Sequence, residues 1–252
     1  MVNSIICGDS ATILKSFPSS CIDLTVTSPP YDNLREYLGY SFNFSEIAKE
    51  LYRVTKEGGV VVWIVNDATV KGNETGTSFK QALFFKSLGF NLHDTMIWNK
   101  TKMPENHNRY EQSFEYMFVF SKRKPKTFNG IRDKVNIEAG KVAHASFRDK
   151  DGLVKKTSSF NKTKIAAHGL RTNIWAIPPC NSSKDRNGHP APFPEQLVED
   201  HIKSWSNEGD LVLDPFAGSG TTLKAAKNLN RKYIGIEISS EYCDITKQRI
   251  GI

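Results

Sequence analysis

The sequence predicts an α/β fold with a mainly parallel sheet. Three observations predict it: continuous apolar runs of strand length, segments with helical spacing between those runs, and glycine or proline stops where the runs end. Strands that alternate with helices along a chain form a parallel sheet covered by helices. The 252 residues, of which 38% are hydrophobic and 24% charged, fit one large domain, or one domain with an insertion.

The predicted strands and helices follow one another without an internal repeat. The apolar runs 22–26 and 60–65 have the composition of buried strands, and residues 56–59, which include two glycines, are predicted to separate the second run from the helix before it. Gly89 is the expected stop of a later helix. In chain order we predict a strand at 4–7, a helix at 10–16, a strand at 22–26, a helix at 44–54, a strand at 60–65, a helix at 78–88, strands at 96–98 and 116–120, a helix at 194–205, a strand at 211–213, a helix at 221–229 and a strand at 233–236.

Residues 1–17 do not have the pattern of a secretory signal, because Asp9 interrupts the segment and no basic residue precedes Lys15. The longest apolar run, 60–65, is far too short to span a bilayer. We expect a cytoplasmic chain with no membrane partner. The cysteines contain no C-x-x-C pair, so reduced thiols and no metal site are expected; they are Cys7, Cys21, Cys180 and Cys243.

Positive charge is concentrated in residues 121–187. The chain has a formal charge of +7 and a pI of about 9.1, but these 67 residues alone hold 16 Lys/Arg and 5 Asp/Glu. The rest of the chain is slightly acidic. A solvated loop region would explain an isolated charge run, but a basic stretch on an otherwise acidic domain favours an insert that faces nucleic acid.

A glycine-rich loop, Asp214-Pro215-Phe216-Ala217-Gly218-Ser219-Gly220-Thr221-Thr222, lies between a predicted strand and a helix. Its glycines allow a tight turn against a ligand, and the helix that follows offers free N–H donors. A phosphate-binding P-loop would need a lysine before the threonines, and a dinucleotide fingerprint would need a small residue at Leu223. Glu237 ends the next strand, where an acid can accept hydrogen bonds from ribose hydroxyls. Together these features indicate an adenosine-containing ligand without a bound diphosphate.

A second motif, Thr27-Ser28-Pro29-Pro30-Tyr31, ends the strand at 22–26. The prolines lack N–H groups, so nearby carbonyl oxygens stay available as acceptors. Ser28 adds an acceptor oxygen and Tyr31 adds a planar face. Acceptors beside an aromatic ring suit the exocyclic amino group of a base flipped out of its stack.

These two motifs resemble those of the S-adenosylmethionine-dependent DNA amino-methyltransferases that modify cytosine N4 or adenine N6. The order here, with the catalytic motif first and the cofactor motif last, resembles the permuted beta group. The resemblance implies a Rossmann-like methyltransferase sheet with helices on both faces, S-adenosylmethionine as cofactor and DNA as partner. It also implies a catalytic half at 1–120, a basic target-recognition insert at 121–187 and a cofactor-binding half at 188–252.

The resemblance also assigns roles to individual residues. Catalytic roles fall on Ser28, Pro29, Pro30 and Tyr31. Asp9 is expected to contact the cofactor adenine, and it can at the same time cap the helix that starts at residue 10. The remaining cofactor-binding residues implied by the resemblance are His189, Phe193, Asp214, Phe216, Gly218, Gly220, Thr221, Thr222 and Glu237.

We predict that Ser28 Oγ and the Pro29 carbonyl accept from the target amino group while Tyr31 stacks on the flipped base, and that the methyl group passes directly without a metal. With serine at position 28, the motif resembles that of the cytosine-N4 enzymes more than that of the adenine-N6 enzymes. Cytosine N4 is therefore the favoured target, and adenine N6 stays the alternative. An RNA or protein amino-methyltransferase, and a non-catalytic nucleic-acid-binding module, are less favoured alternatives.

Overall fold

The computed structural model describes residues 2–30, 43–100, 110, 112–158, 160–180 and 193–252. Its strands are β1 (Ser4–Cys7), β2 (Ile22–Thr27), β3 (Thr55–Val65), β4 (Thr69–Val70), β5 (Asn73–Glu74), β6 (Asn91–Asn99), β7 (Phe114–Ser121), β8 (Lys134–Val135), β9 (Ser146–Arg148), β10 (Val154–Lys156), β11 (His168–Gly169), β12 (Ile174–Ala176), β13 (Leu211–Asp214) and β14 (Lys232–Glu237). Its helices are α1 (Ser10–Leu14), α2 (Phe44–Val54), α3 (Thr77–Ser87), α4 (Glu195–Trp205), α5 (Thr221–Asn228) and α6 (Ser240–Ile250).

An eight-stranded sheet organises the larger of two compact units, which comprises Met1–Asn129 and Asn173–Ile252. The strand order is β1-β14-β13-β2-β3-β7-β6-β12. Neighbours from β1 to β3 run parallel, β7 runs antiparallel to both β3 and β6, and β12 is parallel to β6. The predicted mainly parallel sheet is therefore confirmed. Because β13 and β14 lie between β1 and β2, strands from the two ends of the chain are neighbours in the sheet.

Helices cover both faces of this sheet, as predicted. Along β3, Val60, Val62 and Ile64 pack in one buried cluster with residues of α4 and α5. Val61, Trp63 and Val65 alternate with them and pack in a second cluster with residues of α1, α2 and α3. This alternation is the two-residue period of a strand buried on both faces.

Two elements differ from the sequence prediction. Gly58 and Gly59 were predicted to separate the strand from the helix before it, but they lie within β3. At this point the register between β3 and β2 is irregular, because Ile22 pairs with Thr55 whereas Leu24 pairs with Val60. The Gly58 N–H donates to the Lys122 carbonyl at 2.6 Å, so the irregularity stays attached to the sheet. Helix α6 was not predicted, because few of its residues are apolar and buried.

The second compact unit, Gly130–Thr172, lies within the predicted basic insert. It holds two small antiparallel ribbons, β9–β10 and β8–β11. Strand β12, which the sequence assigned to the insert, pairs instead with β6 in the large sheet, and its Trp175 is buried there. The compact unit is shorter than the predicted 67-residue insert. The insert was delimited by its positive charge, and charge does not show that the chain rejoins the large sheet at β12. Within the described ranges, no helix is long and apolar enough to cross a bilayer.

Candidate functional site

The candidate site lies where the central parallel strands end. Parallel strands place their carboxyl ends at one edge of a sheet, where open α/β folds bind ligands. Strand β1 pairs with β14 as far as Cys7↔Glu237, and the Gly8 N–H donates to the Glu237 carbonyl at 2.8 Å. Asp214 ends β13 and Ser28 follows β2. Residues from both ends of the chain therefore meet at this edge.

Asp214 joins the two sequence motifs. Its Oδ1 accepts from the Thr27 hydroxyl at 2.6 Å and from the Phe216 N–H at 3.0 Å, and its Oδ2 accepts from the Thr222 hydroxyl at 2.6 Å. The carboxyl is buried, and this burial raises its pKa. The accepted hydrogen bonds oppose the effect but are weaker, so the pKa rises from 3.8 to about 6. The structure thus shows Asp214 as an anchor beneath the glycine loop; direct contact with a ligand stays a prediction.

Glu237 is oriented by backbone donors on both of its oxygens. Oε2 accepts from the Gly218 N–H at 2.8 Å, and Oε1 accepts from the Ser239 N–H at 2.9 Å. A carboxylate offers about four acceptor positions, so each oxygen keeps one for a ligand hydroxyl. The side chain is half-buried, which leaves it reachable from the edge of the sheet.

Asp9 caps helix α1 through one of its two carboxylate oxygens. Its Oδ1 accepts from the Thr12 N–H and hydroxyl, each at 2.8 Å, and the capping alternative is therefore present. Oδ2 makes no hydrogen bond within the part of the chain that the structure describes, and the residue is exposed. Next to it, the Ser10 hydroxyl donates to the Pro215 carbonyl, so α1 is attached to the glycine loop.

The glycine loop packs against α6, which also donates a hydrogen bond to it. Gly218 and Gly220 adopt left-handed φ angles of 51° and 81°. A Cβ at Gly220 would lie 2.6 Å from the Thr246 Cγ2, and the Thr246 hydroxyl donates to the Gly218 carbonyl at 3.0 Å. Close packing against α6 therefore requires glycine at position 220. Thr221 is buried together with Thr222 at the start of α5.

Arg249 is a second brace from α6. Its Nη1 donates to the Ser219 carbonyl at 3.1 Å and to the Thr221 hydroxyl at 3.0 Å. Neither this residue nor Thr246 is among the predicted site residues, because α6 has little apolar periodicity. The signal that could have found Thr246 is its spacing with Cys243 and Ile250, which places three buried residues on one helix face. No such signal marks Arg249.

The remaining predicted site residues lie around this core. Phe216 is half-buried with its ring edge-on to Trp63, at 6.2 Å between centroids. Phe193 is half-buried against the core cluster that includes α4. Pro29 is buried, whereas Ser28 and Pro30 are half-buried. The predictions for Tyr31 and His189 concern residues outside the described ranges. Among the described residues, no group of three or more His, Cys, Asp or Glu side chains could hold a metal ion.

Comparison with known proteins assigns the family. The model of the N6/N4 methyltransferase family, described as DNA methylase, matches residues 22–248. The chain belongs to this family. The resemblance drawn from the two motifs is thereby confirmed, and so is the Rossmann-like methyltransferase sheet.

Three similar proteins illustrate the range of the family. The orphan methyltransferase M.BamHII of Bacillus amyloliquefaciens is 59% identical in an alignment of 236 positions that covers 91% of this chain and 88% of that protein. The M1.HpyAVI–SAM complex is 25% identical, with a TM-score of 0.69 and coverage of 99% of both chains. The PvuII DNA methyltransferase, which is cytosine-N4-specific, is 24% identical with a TM-score of 0.70, covering 98% of this chain and 85% of its own; at this identity it shows the fold alone.

Gly220→Ala should destabilise this methylase far more than Gly209→Ala. Both glycines have φ near 80°, but a Cβ at Gly209 meets nothing within 4 Å. The control should lose about 1 kcal/mol from backbone strain alone, whereas Gly220→Ala should lose about 3 kcal/mol because Thr246 is buried and cannot move freely. Urea unfolding of both variants measures the difference. Equal losses would show that α6 does not brace the loop.

The buried Asp214 should make the stability fall as pH rises. Its folded pKa of about 6 lies above its unfolded value of 3.8, so its favourable contribution is complete below pH 3.8 and is lost as pH rises through 6. The unfolding free energy of wild type relative to Asp214→Asn should therefore decrease by about 2 kcal/mol between pH 4 and pH 7. A difference that stays flat over this range contradicts the raised pKa.

Proposed function

We propose that this DNA methyltransferase transfers a methyl group from S-adenosylmethionine to the exocyclic N4 of cytosine in DNA. The observation that carries the proposal is the bonding of Asp214 to both Thr27 and Thr222. It ties the end of the acceptor motif to the glycine loop through one side chain. A methyl donor on the loop and an amino group at Ser28 would then be neighbours, as direct transfer requires.

The residues at the edge fit S-adenosylmethionine. Glu237 keeps acceptor positions for the two ribose hydroxyls, and Asp9 Oδ2 offers an acceptor for the adenine amino group. The loop has no lysine to neutralise a phosphate, which suits a cofactor without one. Phe216 and Phe193 would line the methionine end. The cofactor supplies an activated methyl group attached to a positive sulfur.

Ser28 and Pro29 would activate the acceptor nitrogen. An exocyclic amino nitrogen is a poor nucleophile because its lone pair is delocalised into the base. Hydrogen bonds from its two N–H groups to Ser28 Oγ and to the Pro29 carbonyl favour a pyramidal nitrogen with a localised lone pair. The nitrogen–carbon bond forms as the sulfur–carbon bond breaks, and the proton that the nitrogen loses passes to water. Pro30 would fix this turn, and Tyr31 would hold the flipped base by stacking.

The choice of cytosine rests on Ser28, since the motif Thr27-Ser28-Pro29-Pro30-Tyr31 resembles the cytosine-N4 subset. Adenine presents the same kind of amino group, and the same acceptors would serve it. The product of the reaction therefore distinguishes the two bases, while the fold and the cofactor site are common to both.

The compact unit Gly130–Thr172 would bind the DNA backbone and read the target sequence. Its 43 residues carry ten Lys/Arg and four Asp/Glu, a net charge of +6. In the β9–β10 ribbon, Val154 pairs with Arg148 and Lys156 pairs with Ser146, so Arg148 and Lys156 lie on one face, and both are exposed. A two-stranded ribbon of this kind fits the major groove.

The product experiment tests the proposed function. Incubation with S-adenosylmethionine and unmethylated DNA of mixed sequence, followed by nucleoside mass spectrometry, should yield N4-methylcytosine. N6-methyladenine would keep the fold and the site and overturn only the base. Absence of both products from an enzyme that binds the cofactor would contradict action on DNA, and RNA and protein acceptors would be tested next.

The double variant Arg148→Ala/Lys156→Ala should weaken DNA binding in a salt-dependent way. Each phosphate contact removed lowers the slope of log K against log salt by about 1, so a decrease of about 2 is expected, with unchanged cofactor affinity. Lys49→Ala is the control, since Lys49 is an exposed cation of α2 paired with Glu46. If the slope of log K against log salt for the double variant equalled that of wild type, Arg148 and Lys156 would not contact DNA, and the proposal for the ribbon would be wrong.

A further inference from the structure

A polar side chain not used in the proposed mechanism lies beside the acceptor motif. Strands β2 and β3 pair in parallel up to Thr27↔Trp63. Pro30 lies three residues beyond Thr27, and Asn66 lies three residues beyond Trp63. Both segments leave the sheet at its carboxyl edge, so Asn66 adjoins the place where the target base would be held.

The alternation of β2 and β3, continued by one residue past the end of each strand, puts Asn66 and Ser28 on the same face of the sheet. Leu24 and Val26 of β2, with Val62 and Ile64 of β3, belong to one core cluster. Ser28 continues the first pair and Asn66 continues the second, because side chains on one face recur every two residues. Two apolar rows in the core thus end in two polar side chains at the edge.

The carboxamide of Asn66 is held in one orientation. Its Oδ1 accepts from the Gln112 Nε2 at 2.7 Å and from the Asp67 N–H at 2.9 Å. Both acceptor positions of this oxygen are therefore used. The Asn66 Nδ2 donates to no group within the part of the chain that the structure describes, which leaves two N–H donors next to a motif that offers only acceptors.

The backbone that carries Asn66 is also fixed. Asp67 is buried and accepts from the Ser78 N–H at 2.8 Å and from the Ser78 hydroxyl at 2.6 Å. Gly76, which precedes α3, has no side chain to cap that helix, so Asp67 supplies the cap from the end of β3. A donor on such a rigid segment is already in place before a base arrives.

We propose that Asn66 Nδ2 donates a hydrogen bond to the ring nitrogen adjacent to the target amino group, with Gln112 as the residue that positions Asn66. This inference rests on the proposed function. Both candidate bases carry an acceptor nitrogen beside the amino group, N3 in cytosine and N1 in adenine. A base that leaves its duplex loses the partner of that nitrogen, and a buried acceptor without a donor costs free energy.

The test combines protein variants with a base analogue that lacks the ring nitrogen. The DNA carries either the natural target base or its deaza analogue, 3-deazacytosine, at the position that the product experiment identifies. Wild type should lose at least about 10-fold in kcat/KM on the analogue, as expected for one lost hydrogen bond of about 1.4 kcal/mol. Asn66→Ala should lose a similar factor on the natural base and little more on the analogue.

Asn66→Asp is the sharper variant. It keeps the oxygen that accepts from Gln112 and Asp67, and it replaces only the donor by an acceptor. Turnover on the natural base should fall further than in Asn66→Ala, and the analogue should restore part of it because the opposing lone pair is absent. Ser28→Ala is the matched control: it should lower turnover but keep the full penalty on the analogue, since Ser28 faces the amino group.

The inference would be overturned if the loss in kcat/KM from Asn66→Ala and the loss from the analogue were independent, so that the variant acting on the analogue showed the full product of the two losses. The inference would also be overturned if Asn66→Asp showed the same ratio of kcat/KM between the natural base and the deaza analogue as wild type does. Thermal unfolding and cofactor binding of each variant show whether a loss of turnover comes from misfolding. If wild type methylates neither cytosine nor adenine in DNA, the proposed function itself fails, and this outcome is distinct from an active wild type with independent penalties.

Discussion

The buried carboxylate of Asp214 is the interaction on which the site depends. Two threonine hydroxyls and one backbone N–H converge on it from β2, α5 and the glycine loop. A buried carboxylate is unfavourable unless donors surround it, and here burial still raises its pKa to about 6. The chain accepts this cost because one side chain fixes the spacing between the acceptor motif and the loop, which no pair of apolar contacts could define as sharply.

Helix α6 completes this arrangement from the C-terminal end of the chain. Because β13 and β14 are inserted between β1 and β2, the glycine loop sits near the middle of the sheet although its sequence lies near residue 220. Thr246 and Arg249 hold the loop carbonyls that the sheet cannot reach. A permuted order of motifs is therefore compatible with the same site, since what matters is which strands are neighbours and not which comes first.

Much of the fold could be predicted from the sequence, because the strands at 22–26 and 60–65 are continuous apolar runs and the glycine loop has a specific pattern. The family followed from two motifs and their order. The contacts from α6 were not predicted, since Thr246 and Arg249 act through polar contacts that hydrophobic periodicity does not report. The place of β12 was also hidden: Ile174–Ala176 is too short to stand out, and its pairing with β6 depends on a distant strand.

The acceptor motif shows how strand alternation separates two tasks with adjacent residues. Thr27 is the last residue of β2, and its hydroxyl binds the Asp214 carboxylate. Ser28 follows directly and, by the two-residue period, continues the opposite row formed by Leu24 and Val26. A shift of one residue in the register would turn the Thr27 hydroxyl to the opposite face of the sheet, away from the Asp214 carboxylate. The register is in turn held by the apolar residues of β2 and β3, so the buried core decides which hydroxyl can face a substrate.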